Sequence, residues 1–287
     1  MRGLLISVGL IAFTALSDGA SAPHLPAVSA SYRIKLDRWV VAPNRTAGLL
    51  VRVRVNGGPP LRLLVDSGTQ YVVLTQSAAA RSGCHGGDDI ELVGAGAPSP
   101  AIAKSLRAAT LELGDLTLRD TPLLITDHPL ADGIQGALPL SIFAGFLIRL
   151  DIRAQELDLI PYPEPLDREG SLPVLSSNRL LFLKGTVNES HEGYFLLDTG
   201  AAYNAISQNL ARQLHVSDVL SSHVPLQGGI AAFEAPLLSG AVRLRLAGRQ
   251  SASGRWWRST SLPQAVIIIS KFPASLATPH CAIPSSP

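Results

Sequence analysis

From Leu49 the chain alternates apolar and polar positions, with Leu49, Val51, Val53 and Val55 separated by single residues, and then meets Asn56-Gly57. Period-two alternation predicts a β-strand, and Asn-Gly is a strong hairpin signal because its turn needs positive φ at both positions. The apolar run Leu61–Val65 predicts a second strand, and the alanine-rich stretch Ser77–Arg81 a short helix. Thr110–Leu113 and Leu116–Leu118 alternate around Gly114-Asp115, which predicts another hairpin, and Leu123–Thr126 and Phe146–Leu150 are further apolar runs. The elements are those of a mainly β chain.

The pattern then returns. Set against Leu181–Leu214 without a gap, Leu49–Ser82 matches at nine of 34 positions, among them Asn56/Asn188, Asp66/Asp198, Gly68/Gly200, Tyr71/Tyr203 and Ala79/Ala211. Conservative pairs such as Ser67/Thr199 and Leu74/Ile206 extend the match. Two copies imply two similar lobes, since a solenoid needs at least three repeats. Pro161–Pro165 lies between them and reads as a linker.

Both copies deliver an aspartate from an apolar strand into a hydroxyl residue and a glycine: Leu63-Leu64-Val65-Asp66-Ser67-Gly68 and Phe195-Leu196-Leu197-Asp198-Thr199-Gly200. A lone Asp-Ser/Thr-Gly is expected on the order of 0.1 times in such a chain, and a turn-capping aspartate would explain it. Two in register, each behind an apolar triplet, ask for chemistry. Lobes related by a pseudo-twofold axis bring equivalent loops face to face, so Asp66 and Asp198 can share one site. Like charges in contact cannot both ionise easily, so the pair holds one proton and supplies a base and an acid without a cofactor. Gly68 and Gly200 allow close backbone approach, and the Ser67 and Thr199 hydroxyls can bond across to the opposite loop.

On these residues the sequence resembles the pepsin-like and retropepsin-like aspartic proteases, in the bacterial single-chain form with two fused lobes. The resemblance implies an acid-protease fold of two retropepsin-like β-barrel lobes, with Asp66 and Asp198 at the catalytic positions. Asp132-Gly133-Ile134-Gln135-Gly136-Ala137-Leu138 resembles the family's second loop, which packs against the catalytic one, although Gln135 departs from the apolar pattern. By the same analogy Val93, Gly94 and Gly96 belong to a substrate flap in lobe one, and Gly228 and Gly229 to its counterpart in lobe two. The implied activity is aspartic endopeptidase cleavage of a polypeptide bound extended between the lobes, with no cofactor and no metal. The implied state is a monomer acting as a pseudo-dimer.

The match weakens late in the chain. The second lobe should reach its own loop glycine near position 269, but the sequence there is Val266-Ile267-Ile268-Ile269-Ser270. No glycine follows Gly254 and no acid follows Glu234. The expected division is therefore lobe one over 45–163, lobe two over 171–250 and a divergent tail over 251–287, with lobe two incomplete and lacking the strand beside Asp198. A degenerate peptide-binding protein of the same fold is the rival reading, and a protease completed by a second chain is a third.

Composition narrows the choice. Of 287 residues 46% are hydrophobic and 16% charged, which argues against a disordered chain, and 24 Lys+Arg against 22 Asp+Glu leaves no field to hold nucleic acid. The apolar run Leu4–Leu16 behind Arg2 is too short to span a bilayer and reads as a signal peptide within residues 1–30, cut after Ala22 or Ala30. An exported protein, periplasmic or extracellular, with no membrane span after cleavage, is expected. Cys84 and Cys281 could pair in an oxidising compartment or stay free. Cys84-His85 with Asp88-Asp89 is poorly spaced for zinc, and no Gly-x-Ser-x-Gly elbow or phosphate loop occurs.

Overall fold

The computed structural model describes residues 6–7, 23–25, 29–42, 45–92, 100–162, 172–201, 204–215, 218–228, 232–238, 242–246, 249–250, 256–259 and 266–269. They form two β-lobes, each built on one twisted sheet. In lobe one the strand order is Asp88–Leu92, Ala101–Leu113, Leu116–Thr126, Val72–Thr75, Gly136–Leu138, Leu61–Val65, Arg45–Val55, Tyr32–Ala42, Glu156–Ile160, Leu147–Asp151. Arg45–Val55 also pairs with Ala101–Leu113, through Val55 and Leu111, which curls the sheet back on itself.

Leu61–Val65 is apolar almost throughout because it is buried on both faces. Leu63 and Val65 enter the main core beside Leu74, Leu111 and Phe143, while Leu64 turns to a second cluster with Trp39, Leu50 and Ile134. Each such side chain stabilises the lobe by about 1.5–3 kcal/mol, so the strand that carries Asp66 is held rigidly. The neighbouring strand Gly136–Leu138 runs parallel to it and antiparallel to Val72–Thr75. Gly136 is required there: a Cβ would run into the Val73 carbonyl and Leu63 Cδ2. Gln135, out of place as a core residue, is a clamp. Its Oε1 accepts the Arg62 amide at 2.9 Å, its own amide donates to the Arg62 carbonyl at 2.9 Å, and its carbonyl accepts from Thr75 N at 3.0 Å.

Lobe two repeats the middle of this order: Asp218–Gln227, Ala232–Leu238, Trp256–Ser259, Asn204–Ser207, Val266–Ile269, His191–Leu197, Leu180–Val187. Val174–Ser177 pairs with Leu180–Val187 as Tyr32–Ala42 does with Arg45–Val55, and Leu244–Leu246 pairs with Leu180–Val187 as Ala101–Leu113 does with Arg45–Val55. Local signals recur with this order. The turns at Asn56-Gly57 and Asn188-Glu189 all have positive φ, and each asparagine Oδ1 accepts a backbone amide, from Thr110 at 3.2 Å and from Arg243 at 2.9 Å. The helices Gln76–Arg81 and Gln208–Gln213 start at equivalent caps, Thr75 and Ser207, whose hydroxyls accept from Ala78 and Leu210.

The sequence expectation for the end of lobe two needs correcting. Val266–Ile269 lies parallel to His191–Leu197, pairing Phe195 with Ile267 and Leu197 with Ile269, and Ala205 pairs with Ile268. This is the position that Gly136–Leu138 holds in lobe one, so the strand beside Asp198 is present. Trp256–Ser259 lies parallel to Asn204–Ser207, as Leu123–Thr126 does to Val72–Thr75. The missing glycine misled because pairing uses backbone groups, which any residue but proline supplies. No counterpart of Leu147–Asp151 and Glu156–Ile160 is found in lobe two among the described residues. Most of the linker Pro161–Pro165 lies outside the described residues.

Candidate active site

Each aspartate sits where its strand ends and the chain turns. Asp66 N donates to Leu138 O at 2.9 Å, which ties the lobe-one loop to the neighbouring strand. Gly68 N donates to Asp66 Oδ1 at 2.8 Å, and Gly200 N to Asp198 Oδ1 at 2.8 Å, joined by Ala201 N at 3.0 Å. Both carboxyls are fully buried.

The two loops interlock. Ser67 N donates to Thr199 Oγ1 at 3.1 Å and Thr199 N to Ser67 Oγ at 3.0 Å. Each hydroxyl then donates onward into the opposite strand, Ser67 Oγ to Leu197 O at 2.7 Å and Thr199 Oγ1 to Val65 O at 2.9 Å. Four hydrogen bonds related by a local twofold thus fix the spacing of the two aspartates, and every donor and acceptor in the set is used.

With both carboxyls out of water, charge is costly. Burial pushes Asp198 up to about 6, against the weaker opposing effects of the Asp66 carboxyl and the Gly200 and Ala201 amides. Among the described residues no fully formed hydrogen bond reaches Asp198 Oδ2, although the Asp66 carboxyl is close enough to favour the Asp198 anion. A buried pair sharing one proton can accept a proton from a water at one carboxyl and donate one from the other, and the two titrate as a unit.

The structure brings together Asp66, Ser67 and Gly68 with Asp198, Thr199 and Gly200, six residues from parts of the chain 132 positions apart. Val93, Gly94, Gly96 and Gly229 lie outside the described residues. The strands flanking the first flap candidate are paired up to Leu92 and Ala101, and those flanking the second up to Gln227 and Ala232. Gly228 is buried, and its backbone hydrogen-bonds the His128 ring, so lobe one touches the lobe-two hairpin. Burial holds His128 below the usual histidine range, a tendency this bond partly offsets. Nothing in the sequence signals that contact, because it joins a loop of one lobe to a turn of the other. Of the set-aside zinc candidates, Asp89 pairs with Lys104 at 2.6 Å. Cys84 is a buried free thiol, raised in pKa by its burial, and its candidate partner Cys281 lies outside the described residues.

The sequence model of the aspartyl protease family matches residues 51–138, the part of lobe one that carries Asp66 and the loop ending at Leu138. Over this stretch of lobe one the sequence is similar to the aspartyl protease family. Similar solved structures include a retropepsin-like aspartic protease from Rickettsia conorii, at 14% identity and a TM-score of 0.33 over 48% of this chain and 91% of that one. Another is an aspartic proteinase from Irpex lacteus, at 11% identity and a TM-score of 0.45 over 83% of this chain and 90% of that one. No curated protein sequence matches the chain.

Proposed function

We propose that the protein is an exported aspartic endopeptidase that hydrolyses peptide bonds with a water activated between Asp66 and Asp198. The observation that carries the reading is the mirrored environment of the two carboxyls: both fully buried, each bonded by its own loop glycine, and held together by four reciprocal bonds between lobes. A structural aspartate needs no such partner. In the reaction the ionised carboxyl takes a proton from water while the water oxygen attacks the peptide carbonyl carbon. The protonated carboxyl gives its proton to the carbonyl oxygen, forming a neutral gem-diol. Transfer of a proton to the amide nitrogen then allows the C–N bond to break, leaving an acid and an amine and a dyad with one proton again. The substrate lies extended between the lobes, its backbone bonded to strand edges. The two lobes derive from one duplicated unit, and the chain acts as a monomer.

The test is cleavage of a mixed peptide library by the purified protein from acid to neutral pH, beside Asp66→Asn. Cleavage that vanishes in the variant supports the dyad. A folded protein that binds peptides and cleaves none at any pH would instead be a degenerate peptide-binding relative.

A further inference from the structure

The strand beside the Asp66 loop is short. Gly136–Leu138 has three residues, a length of roughly 10 Å at about 3.3 Å per residue. It pairs with Leu61–Val65 from Leu63/Gly136 to Val65/Leu138, and with Val72–Thr75 through Val73/Ala137 and Leu74/Gly136. Yet it carries the carbonyl that fixes the aspartate, since Asp66 N donates to Leu138 O at 2.9 Å. A slip along the axis of so short a strand would carry that carbonyl away from the Asp66 amide and turn the carboxyl with it.

Lobe two holds the equivalent strand by backbone. Val266–Ile269 has four residues, and the first of them pairs with Tyr194. The 132-residue offset between the lobes carries Tyr194 onto Arg62, and the strand register carries Val266 onto Gln135. In lobe one the ladder starts one step later, at Leu63 and Gly136.

Gln135 makes up the missing step with its side chain. Its Oε1 accepts the Arg62 amide at 2.9 Å while its own amide donates to the Arg62 carbonyl at 2.9 Å, so both backbone groups of Arg62 are held at one point. Its carbonyl accepts from Thr75 N at 3.0 Å, which ties the same point to the other neighbouring strand. The Arg62 donor also fixes the orientation of the carboxamide, because only its oxygen can accept. An apolar residue at 135 would keep the two backbone bonds and leave the Arg62 amide without this acceptor. Valine at the related position of lobe two has no such group to offer, and its strand does without one by pairing a residue earlier.

We infer that Gln135 is a positioning residue for Asp66: it pins the start of Gly136–Leu138, and through the Leu138 carbonyl it sets the Asp66 loop. Its effect on turnover rests on the endopeptidase reading, whereas its effect on the Asp66 amide belongs to lobe one alone.

The experiment follows amide hydrogen exchange in the full chain, residue by residue, for the wild type, Gln135→Leu and Gln135→Glu. Gln135→Leu should lower the protection of the Asp66 amide about fivefold or more, the scale of one net hydrogen bond, and leave the amides of Arg45–Val55 unchanged. Gln135→Glu, whose carboxylate oxygen can accept the Arg62 amide, should restore most of it. In peptide cleavage Gln135→Leu should lower kcat about tenfold with KM unchanged, and Gln135→Glu should regain the rate. Exchange is read without turnover, so a chain that cleaves nothing would defeat the endopeptidase reading and leave the exchange result to decide this one. Should Gln135→Leu fail to fold, Gln135→Met, closer in shape and likewise without a strong acceptor, carries the same expectations. Equal loss of protection at Asp66 and across Arg45–Val55 would mark a merely structural residue and overturn the inference, as would unchanged exchange at Asp66 or a change in KM alone.

Discussion

Gly68 of lobe one lies against the Asp198 carboxyl of lobe two, so closely that a Cβ on the glycine would stand 2.5 Å from Asp198 Cγ. The relation is reciprocal, since a Cβ on Gly200 would stand 2.5 Å from Asp66 Cγ. Each aspartate-bearing loop thus uses its glycine to make room for the other lobe's aspartate. Gly68→Ala and Gly200→Ala should each push the carboxyls apart. Peptide cleavage is expected to fall at least about 100-fold, comparable to losing one acid–base partner. The measurement is kcat/KM for each variant beside circular dichroism, which should still report a β-rich fold.

Asp66→Asn and Asp198→Asn remove one member of the dyad with little change of shape, and turnover should drop by about 10³-fold or more. Binding of an uncleaved peptide should persist, because backbone bonding along the cleft does not need the second carboxyl. An Asn variant retaining more than a tenth of wild-type turnover would sink the two-carboxylate mechanism.

Stability should depend on pH through Asp198. Burial holds its proton to about pH 6 in the folded chain, whereas an unfolded aspartate loses it near ~3.9. Between those values the native state binds more protons than the unfolded state, so stability falls as pH rises from about 4 to about 6. Asp198→Asn should remove that slope. Urea midpoints at four pH values for both proteins would show it, and parallel curves would contradict it. Cleavage should follow the same proton, declining as pH rises past about 6.

Ser67→Ala and Thr199→Ala each remove one donor and one acceptor from the clasp between lobes. Each should cost about 1–3 kcal/mol, because a buried amide and a buried carbonyl lose their partner. The double variant should cost less than the sum of the singles, since the hydroxyls serve each other's backbone. Thr199→Ser should restore most of the loss. Thermal melts of the four proteins measure the cycle.

Ending the chain at 260 removes Val266–Ile269, which pairs with both the Asp198 strand and Asn204–Ser207. The shortened protein should be insoluble or lack the cooperative transition of lobe two, and should not cleave peptides. Ending it at 272 keeps the strand and should retain both. Equal melting curves for the two truncations would show that the strand contributes nothing to lobe two.

The sequence by itself determined much of this protein, because the decisive signals are local. Alternation, paired turns at Asn56-Gly57 and Asn188-Glu189, and an aspartate released from an apolar strand depend on residues a few positions apart. The repeat at 132 residues then carried the two aspartates to one site by symmetry alone. Tertiary structure decided what depends on contacts between distant segments. Gln135 read as a defect in an apolar loop, and only its bonds to Arg62 and Thr75 make it a clamp. The tail read as divergent because its glycine is gone, yet strand pairing needs only amides and carbonyls, and Val266–Ile269 supplies them beside Asp198. Arg179 carried no signal in the chain. The turn at Asn178-Arg179 sets it over Tyr71 of the other lobe, a juxtaposition that no local pattern encodes.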